Sequence, residues 1–229
     1  MAATAWFAVS PTGCATRVRV LGVGVLLLLL AAVPVRAQNG SELLDEVQRR
    51  YDAVETLRAS FTQTVTSSFS PEATRVDGQL WVKDDMYRVE TVEQTLVTDG
   101  TTTWIYTPAD SQVVVNDADR GGAALSPESF FTDYSDRYAV EDARRARQDG
   151  ASHTVLNLTA SAPAARFESV ALWVRDADRL ITRLRGVDSG GSTIDIRLRD
   201  IQVNSTLSDA SFRFEPPGGT EVVDLRTGE

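Results

Sequence analysis

The chain predicts an α+β fold, mainly β: one long antiparallel sheet with two or three helices packed on one face. Three observations carry that expectation. Apolar residues recur at helical spacing only in an N-terminal segment and one middle segment, and elsewhere they alternate with period two. The breaks between alternating runs are short (Asp99-Gly100, Asp176-Ala177-Asp178, Ser189-Gly190-Gly191), and short turns join antiparallel neighbours, not parallel crossovers. No segment repeats, and about 190 residues beyond the N-terminal apolar run suit one domain with its own core.

In chain order, Arg17 and Arg19 precede an uncharged apolar run from Val20 to Val33, and Val35-Arg36-Ala37 places small residues at both recognition positions of a leader cleavage site. Residues 1–37 read as a secretory signal peptide cleaved after Ala37, and residues 38–229 as the mature domain. The competing reading is a retained anchor, against which the run is short of the about 20 residues that span a bilayer. The single cysteine, Cys14, falls in the leader. A mature chain without thiol, disulfide or cysteine metal site suits an oxidising compartment such as the bacterial periplasm, and leaves the core to hold the fold. Cleavage removes three arginines and no acid, taking the formal charge from −9 to −12. Such a surface repels phosphate backbones and argues against nucleic-acid binding.

The first mature element is a helix: Ser41 is placed to cap it, Glu42, Asp45 and Glu46 sit near its positive end, and Leu44, Val47, Tyr51, Val54 and Leu57 form its apolar stripe. Period-two runs follow at Phe61-Gln63-Val65, Val76-Gly78-Leu80-Val82, Tyr87-Val89-Thr91, Val113-Val115, Val155-Leu158 and Leu172-Val174. Ser126-Pro127-Glu128 reads as a second helix start, with Phe130, Phe131 and Tyr134 as its apolar face.

Catalytic signals are missing from this pattern. There is no nucleophile elbow, phosphate loop or zinc helix, and the lone histidine, His153, reads as an exposed strand residue of no chemical role. Asp117-Ala118-Asp119-Arg120-Gly121-Gly122 through Glu128 spaces acids at positions 1, 3 and 12 and glycine at 6, as a calcium loop does. Its fifth position is glycine and a strand precedes it, so a solvated turn is the better reading. Aromatic pairs at strand spacing, Trp104 with Tyr106 and Phe212 with Phe214, are either ordinary core or the lining of a ligand space.

Four blocks settle which family these elements resemble. They are Ala59-Ser60-Phe61-Thr62-Gln63, then Gly78-Gln79-Leu80-Trp81-Val82-Lys83, then Leu96-Val97-Thr98-Asp99-Gly100 leading into Trp104-Ile105-Tyr106, and finally Phe212-Arg213-Phe214-Glu215-Pro216-Pro217-Gly218. In this order and spacing, over residues 42 to 225, they resemble the periplasmic outer-membrane lipoprotein carriers, the LolA family. The resemblance implies a strongly curved, unclosed barrel whose helices lid the concave side, and no enzyme activity or cofactor. It implies a cavity for lipoprotein acyl chains lined by Tyr51, Tyr87, Val89, Leu96, Phe130 and Phe131. The partners it implies are acylated lipoproteins, an inner-membrane ABC-type lipoprotein release complex and an outer-membrane acceptor, with the chain itself a monomer. An alternative within the same fold is a periplasmic binding or sensor protein for another lipid or acylated ligand. The chain departs from the family where Asp84-Asp85 replaces an arginine that latches the lid. A carboxylate offers only acceptors, so Arg88 takes that role or the lid is held differently.

Overall fold

The computed structural model describes residues 35–70, 72–118, 134–163 and 165–226, and Pro34–Glu229 forms one compact unit. Helix α1 (Val35–Asp52) leads into β1 (Thr56–Thr66), β2 (Ala73–Lys83), β3 (Met86–Thr91), β4 (Thr95–Thr98), β5 (Thr102–Thr107) and β6 (Gln112–Asp117). A short helix α2 (Tyr134–Arg137) precedes β7 (Tyr138–Gln148), β8 (Ala151–Ala160), β9 (Ser169–Arg175), β10 (Ile181–Val187) and β11 (Thr193–Val203). A 3-10 turn (Asp209–Phe212) and β12 (Glu221–Asp224) close the described chain.

All twelve strands belong to one sheet in the order β12-β6-β5-β4-β3-β2-β1-β11-β10-β9-β8-β7. The chain starts mid-sheet at β1, walks outward to β6, re-enters at the opposite edge with β7 and returns through β11 to pair with β1. The edge strands β12 and β7 do not pair, so the barrel is unclosed. Register shifts in β1, β7 and β10 mark bulges, which bend strands and increase their twist. One pairing departs from the expected antiparallel sheet: β12 runs parallel to β6, with Val222 opposite Val113. No hairpin joins these two strands. β12 arrives from β11 by a long connection, so turn geometry does not fix its direction.

The main core lies on one face, where Leu44, Val47 and Tyr51 of α1 meet Leu57 and Phe61 of β1, Leu80 of β2, Leu156 and Leu158 of β8, Leu172 of β9 and Leu184 of β10. Each such side chain contributes roughly 1.5–3 kcal/mol through burial. The helix begins before the Ser41 cap position, at Val35, and its first turn carries no acid. In its second turn Gly40 is buried, and a Cβ there would lie 2.6 Å from Val140 of β7. The opposite end follows the dipole rule, with Arg49 and Arg50 in the last turn. Gly78 answers a second close approach, since a Cβ there would fall 2.6 Å from the Phe61 ring opposite it and 2.4 Å from the Glu90 carbonyl.

The other face of β2–β6 is covered by the C-terminal segment. Lys83 pairs with Asp209, Arg88 Nη1 donates to the Ser211 carbonyl at 3.3 Å, and the Tyr106 and Phe214 rings lie 5.8 Å apart. Phe212 between them is fully buried. The expected Phe212-x-Phe214 strand is thus not one: Phe212 ends a 3-10 turn capped by the Ser208 side chain, and residues 213–217 are irregular. Burying Phe212 against a sheet face, not extending a ladder, is what orders this segment. Of the expected middle helix, Tyr134 opens α2, buried with its ring 5.7 Å from Tyr138, while Ser126-Pro127-Glu128, Phe130 and Phe131 lie outside the described residues.

Candidate functional site

Pairing registers decide which side chains share a face. Leu80, Val89, Leu96, Ile105 and Val114 stand opposite one another across β2 to β6 and form an apolar row. Two residues along each strand, nearer the Asp84-Asp85 and Asp99-Gly100 turns, a second row runs Val82, Tyr87, Thr98, Thr103, Asn116. Both rows are on the α1 face, because Leu80 belongs to the core containing Leu44, Val47 and Tyr51, and Val82 and Val89 pack against it. Leu96 is 3% exposed and Tyr87 8%. Three of the predicted lining residues, Tyr87, Val89 and Leu96, therefore lie together.

The second row is mostly polar, buried at its middle and half-buried at Val82 and Asn116. Thr98 and Thr103 are buried. Thr98 Oγ1 accepts from the Gly100 amide at 3.2 Å, which tightens the turn that brings β5 back. Among the described residues, Tyr87 Oη and Thr103 Oγ1 are buried without a hydrogen-bond partner. Burial raises the pKa of the Tyr87 phenol, so it stays protonated and can donate. Sequence reasoning passed over Thr98 and Thr103. Their signal was the Asp99-Gly100 turn, which puts Thr103 opposite Thr98.

Tyr51, the remaining described lining candidate, is a core anchor. Its hydroxyl accepts from the Ile181 amide at 3.1 Å, and burial pushes its phenol well above the usual range. Nearby, Arg179 Nε donates to Glu46 Oε2 at 2.7 Å and ties α1 to the β9–β10 turn. Arg88 lies on the sheet face opposite α1, level with Val97, where its Nε donates to Glu90 Oε1 at 2.6 Å and its Nη1 to the Ser211 carbonyl. Asp84 is exposed and adopts a left-handed φ of 50° in the β2–β3 turn.

His153 is buried at 2% exposure, not exposed as its sequence neighbours suggested. Its Nδ1 lies 3.1 Å from the Ala151 carbonyl and its Nε2 2.9 Å from Thr182 Oγ1. The β10 register shift between Ile181 and Arg183 frees Thr182 to meet the ring, an offset invisible to alternation. A groove of about 540 Å³ on the face away from α1 is lined by Thr62, Arg75, Arg185, Asp195, Arg197 and Arg199, a set that offers nothing to a hydrocarbon chain. Among the described residues no cluster of histidine, cysteine or acid could hold a metal ion, and the calcium-loop candidate beyond Ala118 lies outside them.

The fold sets the class: one domain, an unclosed twelve-stranded sheet with a helix against its apolar face. Residues 52–215 match the model of the outer membrane lipoprotein carrier protein LolA, and the chain belongs to that family. Relatives named outer-membrane lipoprotein carrier protein include one from Legionella pneumophila, 27% identical over 87% of this chain and 96% of its own length. Another, from Dechloromonas aromatica, is 30% identical over 84% and 92%. Among solved structures, an uncharacterized conserved protein from Thermus thermophilus superposes with a TM-score of 0.53 at 16% identity, covering 82% of this chain and 99% of that one. The Mycobacterium tuberculosis lipoprotein LppX gives 0.52 at 11%, covering 75% and 98%. At these identities the likeness is one of fold.

Proposed function

We propose that the protein is a periplasmic carrier that holds the acyl chains of lipoproteins against the α1 face of its sheet and moves them from the inner to the outer membrane. The observation that carries this reading is the family match over residues 52–215, joined to curated relatives named as lipoprotein carriers. The site suits it, since Val89 and Leu96 continue an apolar row from Leu80 to Val114 with Tyr87 beside it. Among the described residues, no helix is long and apolar enough to cross a membrane. In this reading a leader cut after Ala37 delivers the chain to the periplasm, an inner-membrane ABC-type complex loads it and an outer-membrane acceptor unloads it.

Magnitudes shape how it works. A buried methylene is worth about 0.8 kcal/mol, so each long acyl chain represents on the order of 10 kcal/mol. Three fully buried chains would exceed the roughly 20 kcal/mol ceiling of non-covalent affinity. Burial in a carrier is therefore partial, and opening turns on small free-energy differences. With Arg88 engaged by Glu90 and Ser211 on the far face, and Asp84 in a turn, neither residue latches α1 to the sheet; apolar helix–sheet contacts and the Arg179–Glu46 pair hold it.

The test is to express the chain with its own leader, purify it from the periplasmic fraction and identify co-purifying molecules by mass spectrometry. Diacylglyceryl-modified lipoproteins are expected in wild type and depleted in folded Val89→Asp and Leu96→Asp variants. Wild-type protein free of acylated cargo, or equal loading of both variants, would sink the assignment.

A further inference from the structure

We propose that Tyr87 and Thr103 form a head-group subsite on the cargo face, their hydroxyls donating hydrogen bonds to the ester carbonyl oxygens of an acylated glyceryl group while the acyl chains follow the apolar row. The inference rests on the carrier reading and specifies which part of the cargo the face recognises.

Buried hydroxyls in folded proteins are almost always hydrogen-bonded, and an unmet one calls for an explanation. Here two occur together. Tyr87 is 8% exposed and Thr103 fully buried, and neither oxygen has a partner among the described residues. Register brings them into one row, with Thr98 between them on the same face. The row stands one pleat repeat, about 7 Å, from the apolar row of Leu80, Val89, Leu96, Ile105 and Val114. A face that passes from hydrocarbon to unpartnered hydroxyls over that distance matches an amphipathic ligand at the junction of its chains and its head.

The chemistry of the donors narrows that head. A phenol and a threonine hydroxyl are neutral, and the described members of the row are Val82, Tyr87, Thr98, Thr103 and Asn116, with no cation among them. The nearest arginine in the strand, Arg88, belongs to the opposite face and is held by Glu90. Burying an ionised carboxylate beside such a row would be costly, whereas a carbonyl oxygen of an ester needs only donors. The face therefore selects esterified acyl chains over free fatty acids. It also orients the cargo: the polar row is the last one before the Asp84-Asp85 and Asp99-Gly100 turns, so the attached peptide leaves the sheet at that end.

The experiment compares two ligands that differ only in carbonyls. The full chain is loaded with decylpyrene, and the probe is displaced either by 1,2-dioctanoylglycerol or by its di-O-octyl ether. Wild type should favour the ester by about tenfold, the scale of one to two net hydrogen bonds. In the Tyr87→Phe, Thr103→Val double variant that ester-over-ether preference should fall to near unity, while Thr103→Ser, which keeps the hydroxyl, should retain it. The melting temperature of the cargo-free protein should hold or rise in Tyr87→Phe, because the lost hydroxyl had no partner. Equal displacement by ester and ether in wild type, or a lowered melting temperature in cargo-free Tyr87→Phe, overturns the subsite and leaves acyl binding intact. Displacement by neither ligand overturns the acyl-binding reading, and the subsite with it.

Discussion

Tyr51 and Tyr87 are equally buried, each 8% exposed, yet their surroundings differ. Around β9 and β10 polar groups have mates: Tyr51 with the Ile181 amide, Glu46 with Arg179, Arg175 with Asp178 at 2.7 Å, and Thr182 with His153. Around β3 to β5 the apolar row is less fully buried, with Leu96 covered and Val89 and Ile105 half-buried, and two buried hydroxyls are left over. The first region is complete in the chain alone, as a scaffold must be. The second has hydrogen-bonding capacity that the described chain does not use. Partly satisfied polar groups cost stability, and on the proposed function their persistence here reflects binding taking precedence over folding.

The largest test of this difference is truncation of the core. Leu172 is fully buried in β9 with Leu156 of β8 and Leu184 of β10 opposite it, so Leu172→Ala should cost about 2–5 kcal/mol in urea unfolding. If the proposed function holds, Leu96→Ala should cost distinctly less, on the order of 2 kcal/mol or below, because a face that receives ligand is less tightly filled. Equal costs would make the β3–β5 face an ordinary packed core and erase the contrast.

Next come the tyrosines themselves. Tyr51→Phe strands the buried Ile181 amide and should destabilise by about 1–3 kcal/mol, whereas Tyr87→Phe should be neutral or stabilising in the absence of cargo. A destabilised Tyr87→Phe would show its hydroxyl to be a structural group like that of Tyr51. Gly78→Ala falls in the same range, about 1–3 kcal/mol, since the added methyl meets the Phe61 ring and the immovable Glu90 carbonyl. Its cost should appear in stability and leave ester-over-ether selectivity untouched.

These contrasts also explain what could be read from the residues alone. Alternation identified β1 to β3, β6 and β9, because one face of each meets a core and period two records that directly, whereas in β8 Val155 and Leu158, three residues apart, fall on opposite faces. The turns at Asp99-Gly100, Asp176-Ala177-Asp178 and Ser189-Gly190-Gly191 were legible for the same local reason, and the Gly100 and Gly191 φ values of 90° and 79° show why glycine stands there. The parallel β12 was not legible, since its partner lies over a hundred residues away and no turn connects them. Phe212 and Phe214 carry the spacing of a strand but serve as plugs on a covered face. In the proposed site, Val89 and Leu96 were named from alternation and resemblance, and register puts them opposite each other. Separating Tyr51 from Tyr87, and finding Thr103, required knowing which backbone amide or hydroxyl each one faces. Such pairings depend on register and on a bulge, and neither leaves a mark in composition.

The smallest effect should come from acid, and it bears on the scaffold region alone. Burial tends to raise the Asp178 carboxyl, but hydrogen bonds from Arg175 and from the Leu180 amide outweigh it and hold the pKa below the ordinary aspartate value. A carboxyl whose pKa is lower folded than unfolded adds stability that is complete above the unfolded value, about 3.9, and is lost as pH falls through the folded one. The side chain is 35% exposed, so solvent screening keeps the contribution below about 1 kcal/mol. Other aspartates titrate in the same window, and the informative quantity is therefore the gap between wild type and Asp178→Asn. That gap should be open near pH 6 and narrow towards zero near pH 3, where a protonated aspartate resembles asparagine. Hydrogen exchange should place the loosening in the β9–β10 turn and the adjoining end of α1, reached through Arg179 and Glu46, with β3 and β4 unchanged. A gap that stays constant with pH would mean that Asp178 supports the turn as a neutral hydrogen-bond acceptor. Loosening of β3 and β4 together with the turn would mean that the two regions unfold as one unit, and that the cargo face has no looseness of its own.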